Sequence, residues 1–326
     1  MNDEQKSGEY YSFKVDNSQE LMRIDFYLLN KIRYATRNKI QKAAKENKVL
    51  VNNVPVKQSY RVKPNDNITI LINEPKRNKE ILPENILLNI IYEDDFLIVI
   101  DKPAGMVVHP AFNNYSGTLL NALEYHFNQT NNSKERLVKS GLVHRLDKNT
   151  SGLMIIAKEK ETLDNLLKQF FYHSIERIYQ TLVWGNINLK KGKIITNLEK
   201  DSKNKNIKVS ITGKQAITNY LVLEDFYNSS LIECKLETGR THQIRSHLAY
   251  IGHPIIFDDL YNNVENNQIF QKINLQVSNT LDRQALHSSS IKFIHPKLKK
   301  ELFFQSPLPN DIKNTIEYLK SISFDM

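Results

Sequence analysis

The sequence predicts an α+β protein in two parts. A small helix–helix–hairpin domain comes first, followed by a larger domain with helices flanking a mostly antiparallel, mixed sheet. Three observations predict it. Short β-type runs recur from Ile86 onward, helical stretches are interspersed without strict βαβ alternation, and 326 residues suffice for a large and a small core.

Residues 1–17 are polar and lack apolar periodicity, so a disordered leader is expected. Residues 18–74 read as the small domain. Met22–Asn30 carries Ile24 and Leu28 four apart, the spacing of one helix face. Thr36 can cap a second helix, Arg37–Asn47, with Ile40, Ala43 and Ala44 as its apolar positions. Val49–Val51 and Val54–Val56 flank Asn52-Asn53, a pair that tolerates positive φ and suits a tight hairpin. Ile68, Ile70 and Ile72 alternate as a third strand would. Residues 75–83 hold Pro75, Lys76, Arg77, Lys79 and Pro83 without an apolar pattern, the composition of a linker.

Residues 84–326 form the larger domain. Strands are expected at Ile90–Tyr92, Leu97–Ile100, Gly141–Leu146, Leu153–Ala157, Ile178–Val183, Ala216–Val222 and Leu231–Leu236. Helices are expected at Thr118–Phe127, Lys160–Phe171 and His242–Ile251. Residues 201–208 and 258–283 are polar and read as loops.

Composition narrows the function. The net charge of +9 suits a polyanionic partner such as RNA or DNA. The charge is concentrated: Lys31, Arg33, Arg37, Lys39, Lys42, Lys45 and Lys48 stand against Glu46 alone, and Lys39, Lys42 and Lys45 share one helix side. No run is long and apolar enough to span a bilayer, and the N-terminus lacks the apolar core of a signal peptide. A cytoplasmic protein without membrane partners is expected. Cys234 is the lone cysteine, which excludes an intrachain disulfide and a multi-cysteine zinc site. His242, His247 and His253 are spaced five and six apart, not the four that stacks two ligands on a helix, so no metal site is expected.

The chemistry lies in Gly141-Leu142-Val143-His144-Arg145-Leu146-Asp147-Lys148-Asn149-Thr150-Ser151-Gly152-Leu153. Residues 148–152 are mostly turn formers, so Asp147 is expected at a sheet edge facing solvent or a cleft. Arg145 and Lys148 beside it favour its ionised form. Read from its local residues alone, Asp147 is more simply a turn aspartate capping backbone amides.

The string at 144–152 resembles the catalytic motif of the RluA/RluD-type pseudouridine synthases. Glu176-Arg177-Ile178-Tyr179-Gln180-Thr181-Leu182-Val183-Trp184-Gly185 resembles that family's second motif. Leu236-Glu237-Thr238-Gly239-Arg240-Thr241-His242-Gln243-Ile244-Arg245 resembles its third. Shorter likenesses occur at Asp101–Met106, His109-Pro110 and Arg283–His287. Residues 20–74, through Arg23-Ile24-Asp25, Thr36–Lys42 and Val49–Asn53, resemble an S4-type RNA-binding domain.

The resemblance implies an isomerase that turns selected uridines of RNA into pseudouridine, without metal or organic cofactor, as a monomer. Its RNA would be large-subunit (23S) ribosomal RNA. Asp147 would be the catalytic carboxylate, adding to C1′ or removing the C2′ proton. Tyr179 would stack on uracil and help remove the C5 proton once the new bond forms, and Arg245, rather than Arg240, would hold Asp147 by a bidentate contact. Arg145 would fill the stack vacated by the flipped base. His144, Lys148 and Arg240, with Arg37, Lys39 and Lys42 of the basic helix, would complete substrate binding. The segment Phe257-Asp258-Asp259-Leu260-Tyr261 departs from the family's Gly-Asp pattern and puts that loop's geometry in question. Two other functions remain: an RNA-binding assembly factor without activity, and a glycoside hydrolase, which would need a second acid.

Overall fold

The computed structural model describes residues 9–32, 35–72, 81–111, 114–129, 141–201, 206–261, 277–278 and 280–324. They divide into two units, Met1–Glu80 and Ile81–Met326.

The first unit contains β1 (Glu9–Lys14), β2 (Met22–Arg23), α1 (Ile24–Lys31), α2 (Arg37–Lys45), β3 (Val49–Val51), β4 (Val54–Pro55), β5 (Arg61–Val62) and β6 (Asn67–Ile72). One sheet runs β1-β6-β3-β4 and a second pairs β2 with β5. The helices form as their apolar spacing predicts, with Ile24, Leu28, Ile40, Ala43 and Ala44 buried against Val49, Val51, Ile68 and Ile70. Thr36 caps α2 by accepting the Lys39 N–H at 3.4 Å. Asn52 and Asn53 turn the hairpin at φ 52° and 65°.

Asp25 organises the entrance to this unit. Its carboxylate has no exposed surface and receives Arg23 through two nitrogens, Arg37 Nε at 3.1 Å and Gln41 Nε2 at 3.0 Å. Burial would raise its pKa, but these donors outweigh burial and bring it down to about 2.

The expected disordered leader is corrected in part. Residues 1–8 lie outside the described residues, but 9–14 form β1, paired antiparallel with β6 from Glu9–Ile72 to Lys14–Asn67. Tyr11, Phe13 and Val15 alternate onto the core, a period-two signal masked by the polar residues around them. The expected linker lies mostly outside the described residues. Its end is packed, since Asn121 Nδ2 donates to the Leu82 carbonyl at 2.8 Å.

The second unit contains β7 (Ile90–Glu93), β8 (Leu97–Lys102), α3 (Leu119–Gln129), β9 (Ser151–Ala157), α4 (Lys160–Phe171), β10 (Glu176–Trp184), β11 (Lys191–Lys200), β12 (Ile207–Val209), β13 (Lys214–Phe226), β14 (Ser229–Leu236), α5 (Gln243–Tyr250), β15 (Leu286–Ile294), β16 (Glu301–Gln305) and α6 (Asn310–Phe324). The sheet order is β12-β11-β13-β14-β10-β15-β9-β8-β7, with β16 also on β15. Among the described strands only β15–β9 is parallel, so the sheet is mixed and mostly antiparallel.

Alternation distributes side chains to two cores. Along β9, Met154 and Ile156 join α3, α5 and α6 on one face, while Leu153 and Ile155 join α4 on the other. Both faces are covered, which is why β9 reads as an unbroken apolar run. Cys234 of β14 is fully buried in the first of these cores.

The sheet parts at its centre. Only His287–Ser151 and Ser288–Gly152 join β15 to β9. Past them residues 141–144 line the freed side of β9. The Ala157 N–H donates to the Gly141 carbonyl at 2.8 Å, and the Ile155 N–H donates to His144 Nε2 at 2.9 Å. The strand expected at 141–146 is therefore absent, apart from one bridge between Leu142 and Ile156. An imidazole takes the place of a ladder carbonyl, and the chain leaves the sheet plane carrying Asp147 with it.

Candidate active site

Asp147 occupies the turn between this irregular segment and β9. Two buried basic side chains fix the turn. Lys102 is wholly buried, and its Nζ donates to the carbonyls of Pro103, Met106 and Lys148 at 2.7, 3.0 and 3.1 Å. Arg283 donates to the Asn149 carbonyl at 3.0 Å and is held by Asp311 through Nε and Nη2. Gly152 closes the turn at φ +113°, and a Cβ there would meet the Ser288 carbonyl oxygen at 2.3 Å. Only glycine admits β15 this closely.

The Asp147 side chain keeps 20 % exposure and faces a cavity of about 620 Å³. Arg245 Nη1, from α5, donates to its Oδ2 at 3.1 Å. Arg245 gives its Nε and Nη2 to the two oxygens of Asp258, both at 2.7 Å. The bidentate contact expected at Asp147 is thus made to Asp258, and Asp147 receives one N–H. Burial opposes the charge on Arg245, but Asp258 and then Asp147 outweigh it and raise its pKa.

His242 Nε2 stands 3.7 Å from Asp147 Oδ1, beyond hydrogen-bond reach. Its Nδ1 lies 3.1 Å from the Tyr261 hydroxyl, and its backbone is left-handed at φ 49°. Burial pushes the His242 pKa down, against the pull of Asp147, so at neutral pH Arg245 is the cation on the carboxylate.

Tyr179, in β10, also faces the cavity and is 5 % exposed. Burial pushes its hydroxyl pKa up, with Arg177 and Ser288 opposing. A neutral phenol with an apolar ring suits stacking better than proton removal.

Residues 96–250 match the RNA pseudouridylate synthase family, and residues 22–68 match the S4 domain. An RNA pseudouridine synthase of Chlorobaculum parvum is 42 % identical over 318 residues, covering 94 % of this chain and 97 % of that protein. The ribosomal large subunit pseudouridine synthase D of Neisseria meningitidis serogroup B is 37 % identical over 301 residues, 91 % of this chain and 79 % of that one. The chain belongs to the RNA pseudouridylate synthase family. It is an isomerase that binds RNA. The solved human RNA pseudouridylate synthase domain containing 4 shares the fold at TM-score 0.58 and 23 % identity, covering 71 % of this chain and 92 % of that one.

In this pseudouridine synthase the three residues read as catalytic, Asp147, Tyr179 and Arg245, converge on one cavity. His144, Arg145 and Arg240 also line it. His144 is spoken for at Nε2, and burial and Arg177 bring its pKa down to about 3. Arg145 is exposed at the rim. Arg240 is exposed, and its Nε donates to the Gln215 carbonyl at 3.1 Å. Lys148 is exposed and absent from the lining; its carbonyl serves Lys102 instead.

In the S4 unit, Arg37 lies over the Phe26 ring at 4.4 Å with its Nε on Asp25. Lys42 is exposed, 4.0 Å from Glu46, and Lys39 is half-buried. His247 bridges the hydroxyls of Thr196 and Thr218, and His253 contacts the Trp184 carbonyl. Among the described residues no helix is long and apolar enough to cross a membrane.

Sequence reading missed Asp258, which appeared as part of a departure from the family pattern. Phe257 occupies the family's glycine position at φ 57°, so the tight backbone turn is kept although the residue differs. Asp258 is thereby buried against Arg245. Nothing local marks it: the guanidinium that makes its burial tolerable lies 13 residues away.

Proposed function

We propose that this synthase acts on large-subunit ribosomal RNA in the cytoplasm, as a monomer, with Asp147 as its reacting carboxylate. The observation that carries the assignment is the Asp147–Arg245 contact on the wall of a cavity that also holds Tyr179. At about 620 Å³ the cavity lies within the range of small-ligand sites, and a flipped nucleotide can enter it. The large-subunit enzyme from Neisseria among its relatives supports the choice of RNA.

In this reading the RNA delivers one uridine with its base against Tyr179. Ionised Asp147 adds to C1′ or takes the C2′ proton, and the C1′–N1 bond breaks with its electron pair going to uracil. Uracil turns and C5 bonds to C1′ as the Asp147–C1′ bond breaks or, on the other route, as Asp147 returns the proton to C2′; the C5 proton then leaves and N1 gains one. Arg245 keeps the carboxylate charged and aimed. Arg145 fills the gap in the RNA stack, and Arg37, Lys39 and Lys42 contact phosphates. His144, Lys148 and Arg240 border the bound strand, His144 through its ring and Lys148 from outside the lining. These residues do the chemistry without a cofactor.

The test is carbodiimide mapping of pseudouridine in ribosomal RNA from cells carrying wild type or Asp147→Ala. Loss of defined 23S sites, with RNA binding retained, is expected, at a cost of about 10⁴-fold or more in rate. Unchanged sites in the variant would leave only the role of an RNA-binding assembly factor. Release of free uracil would instead mark a hydrolase.

A further inference from the structure

One buried charge in the cavity has no counterpart among the described residues. Arg177, on β10, is 6 % exposed and lines the cavity with Asp147. A guanidinium stays protonated inside proteins and carries five N–H donors. Among the described residues none of these donors meets an acceptor, no carboxylate pairs with the group, and its Nε is fully buried. The other buried arginines of this unit differ. Arg245 is shared between Asp258 and Asp147, and Arg283 holds Asp311 and nearby carbonyls. A desolvated cation without an anion is costly, and a buried polar group left unsatisfied calls for an explanation.

The surroundings hold the guanidinium without neutralising it. The Phe170 ring lies 5.1 Å from its Cζ, and the same ring packs against His144 at 5.0 Å. Gly239 leaves room for it: a Cβ there would fall 2.8 Å from Nη1. Phe170 and Gly239 both line the cavity. Tyr179, two residues along β10, feels the charges of both Arg177 and Asp147. The space for an anion therefore belongs to the cavity that admits the nucleotide.

We propose that Arg177 is a phosphate anchor, binding a backbone phosphate of the RNA strand whose uridine enters the cavity. Uracil is neutral at pH 7, so of the groups an extruded nucleotide brings, the phosphate matches a bare cation. A guanidinium fork takes two phosphate oxygens at once. The proposal rests on reading the cavity as the uridine site and assigns Arg177 to positioning, not to the bond changes.

The experiment uses the full chain and compares uridine with uridine 3′- and 5′-monophosphates by calorimetry at low salt. Wild type should bind at least one monophosphate roughly ten- to a hundredfold more tightly than uridine, the range of a hydrogen bond to a charged group. Arg177→Met, which keeps length but not charge, should remove that preference, and Arg177→Lys should restore part of it. Gly239→Ala, which pushes on Nη1, should reduce it. Circular dichroism and thermal midpoints verify that each variant is folded. On RNA, Arg177→Met should raise KM at least tenfold and leave most of kcat.

No preference in wild type, or a preference that survives Arg177→Met, overturns the anchor. Equal weakening of uridine and its monophosphates also overturns it, since Arg177 would then read the base. Failure of the functional reading looks different: wild type itself would make no pseudouridine in ribosomal RNA, whatever it did with the monophosphates.

Discussion

Asp258 grips Arg245 with both carboxylate oxygens at 2.7 Å, while Asp147 receives a single donor at 3.1 Å. The guanidinium is aimed by the residue that has no exposed surface, and it presents its remaining edge to the one that faces the cavity. Asp258→Asn preserves shape but not charge, and so frees Arg245 to rotate. We expect kcat to fall about ten- to a hundredfold, in the manner of residues that orient a functional group, with RNA affinity nearly unchanged. Single-turnover rates and a binding curve decide it. Unaltered kcat in a folded variant would mean that Asp147 alone aims Arg245.

The acid limit of stability follows from buried histidines. Burial, with the nearby Arg177, holds the His144 pKa down at about 3 against an ordinary 6.5, and burial brings His247 down to about 4. The folded state holds these rings neutral, so their contribution is complete above about pH 6.5. It is lost as the pH falls from there toward the folded values. At pH 5 each ring costs about 2 kcal/mol relative to pH 8. Urea unfolding followed through Trp184, the chain's one tryptophan and a buried one, should show this slope. His144→Gln should flatten it by roughly one ring's share.

Gly152 is the narrowest point of the sheet. In Gly152→Ala the added methyl meets backbone of Ser288, which cannot swing aside, and the residue stands at φ +113°. A loss of about 3 kcal/mol or more is expected, or failure to accumulate folded protein. A change within about 0.5 kcal/mol, read from urea midpoints, would show that β15 and β9 do not approach so closely in solution.

The basic helix should be legible in salt. Lys39→Gln and Lys42→Gln should each make the plot of log affinity against log salt shallower by about one, on fragments of ribosomal RNA. Substitution of Lys320, on α6 and paired with Glu224, serves as the control and should leave the slope alone. Equal slopes for all variants would remove the helix from the interface.

How much of this was readable in advance varied with the kind of signal. The turn at Asp147 and the helix over Arg37–Lys45 carry local information, in turn formers and in apolar spacing, and both form as read. Strands β11, β12, β15 and β16 were missed because Lys, Asn and Ser interrupt their alternation; long-range pairing overrides propensity there. The expected strand at 141–146 failed for the converse reason. It has strand-like residues, but the parting of β15 from β9 leaves room for His144 to supply the acceptor. Asp258, Lys102 and Arg177 escaped because a charged residue in sequence gives no hint of being buried. Arg245 lies 13 residues from Asp258, Lys148 lies 46 residues from Lys102, and Arg177 has no hydrogen-bonding or ionic partner among the described residues.

The solitary thiol of Cys234 gives the molecule a built-in clock. Burial in the core on one face of the sheet raises its pKa and hides it from reagents, so a maleimide can react only after that core opens. Pulse labelling of the unmodified chain therefore counts openings of that core at a single known position. The same inertness keeps this thiol from oxidants for as long as the core stays closed.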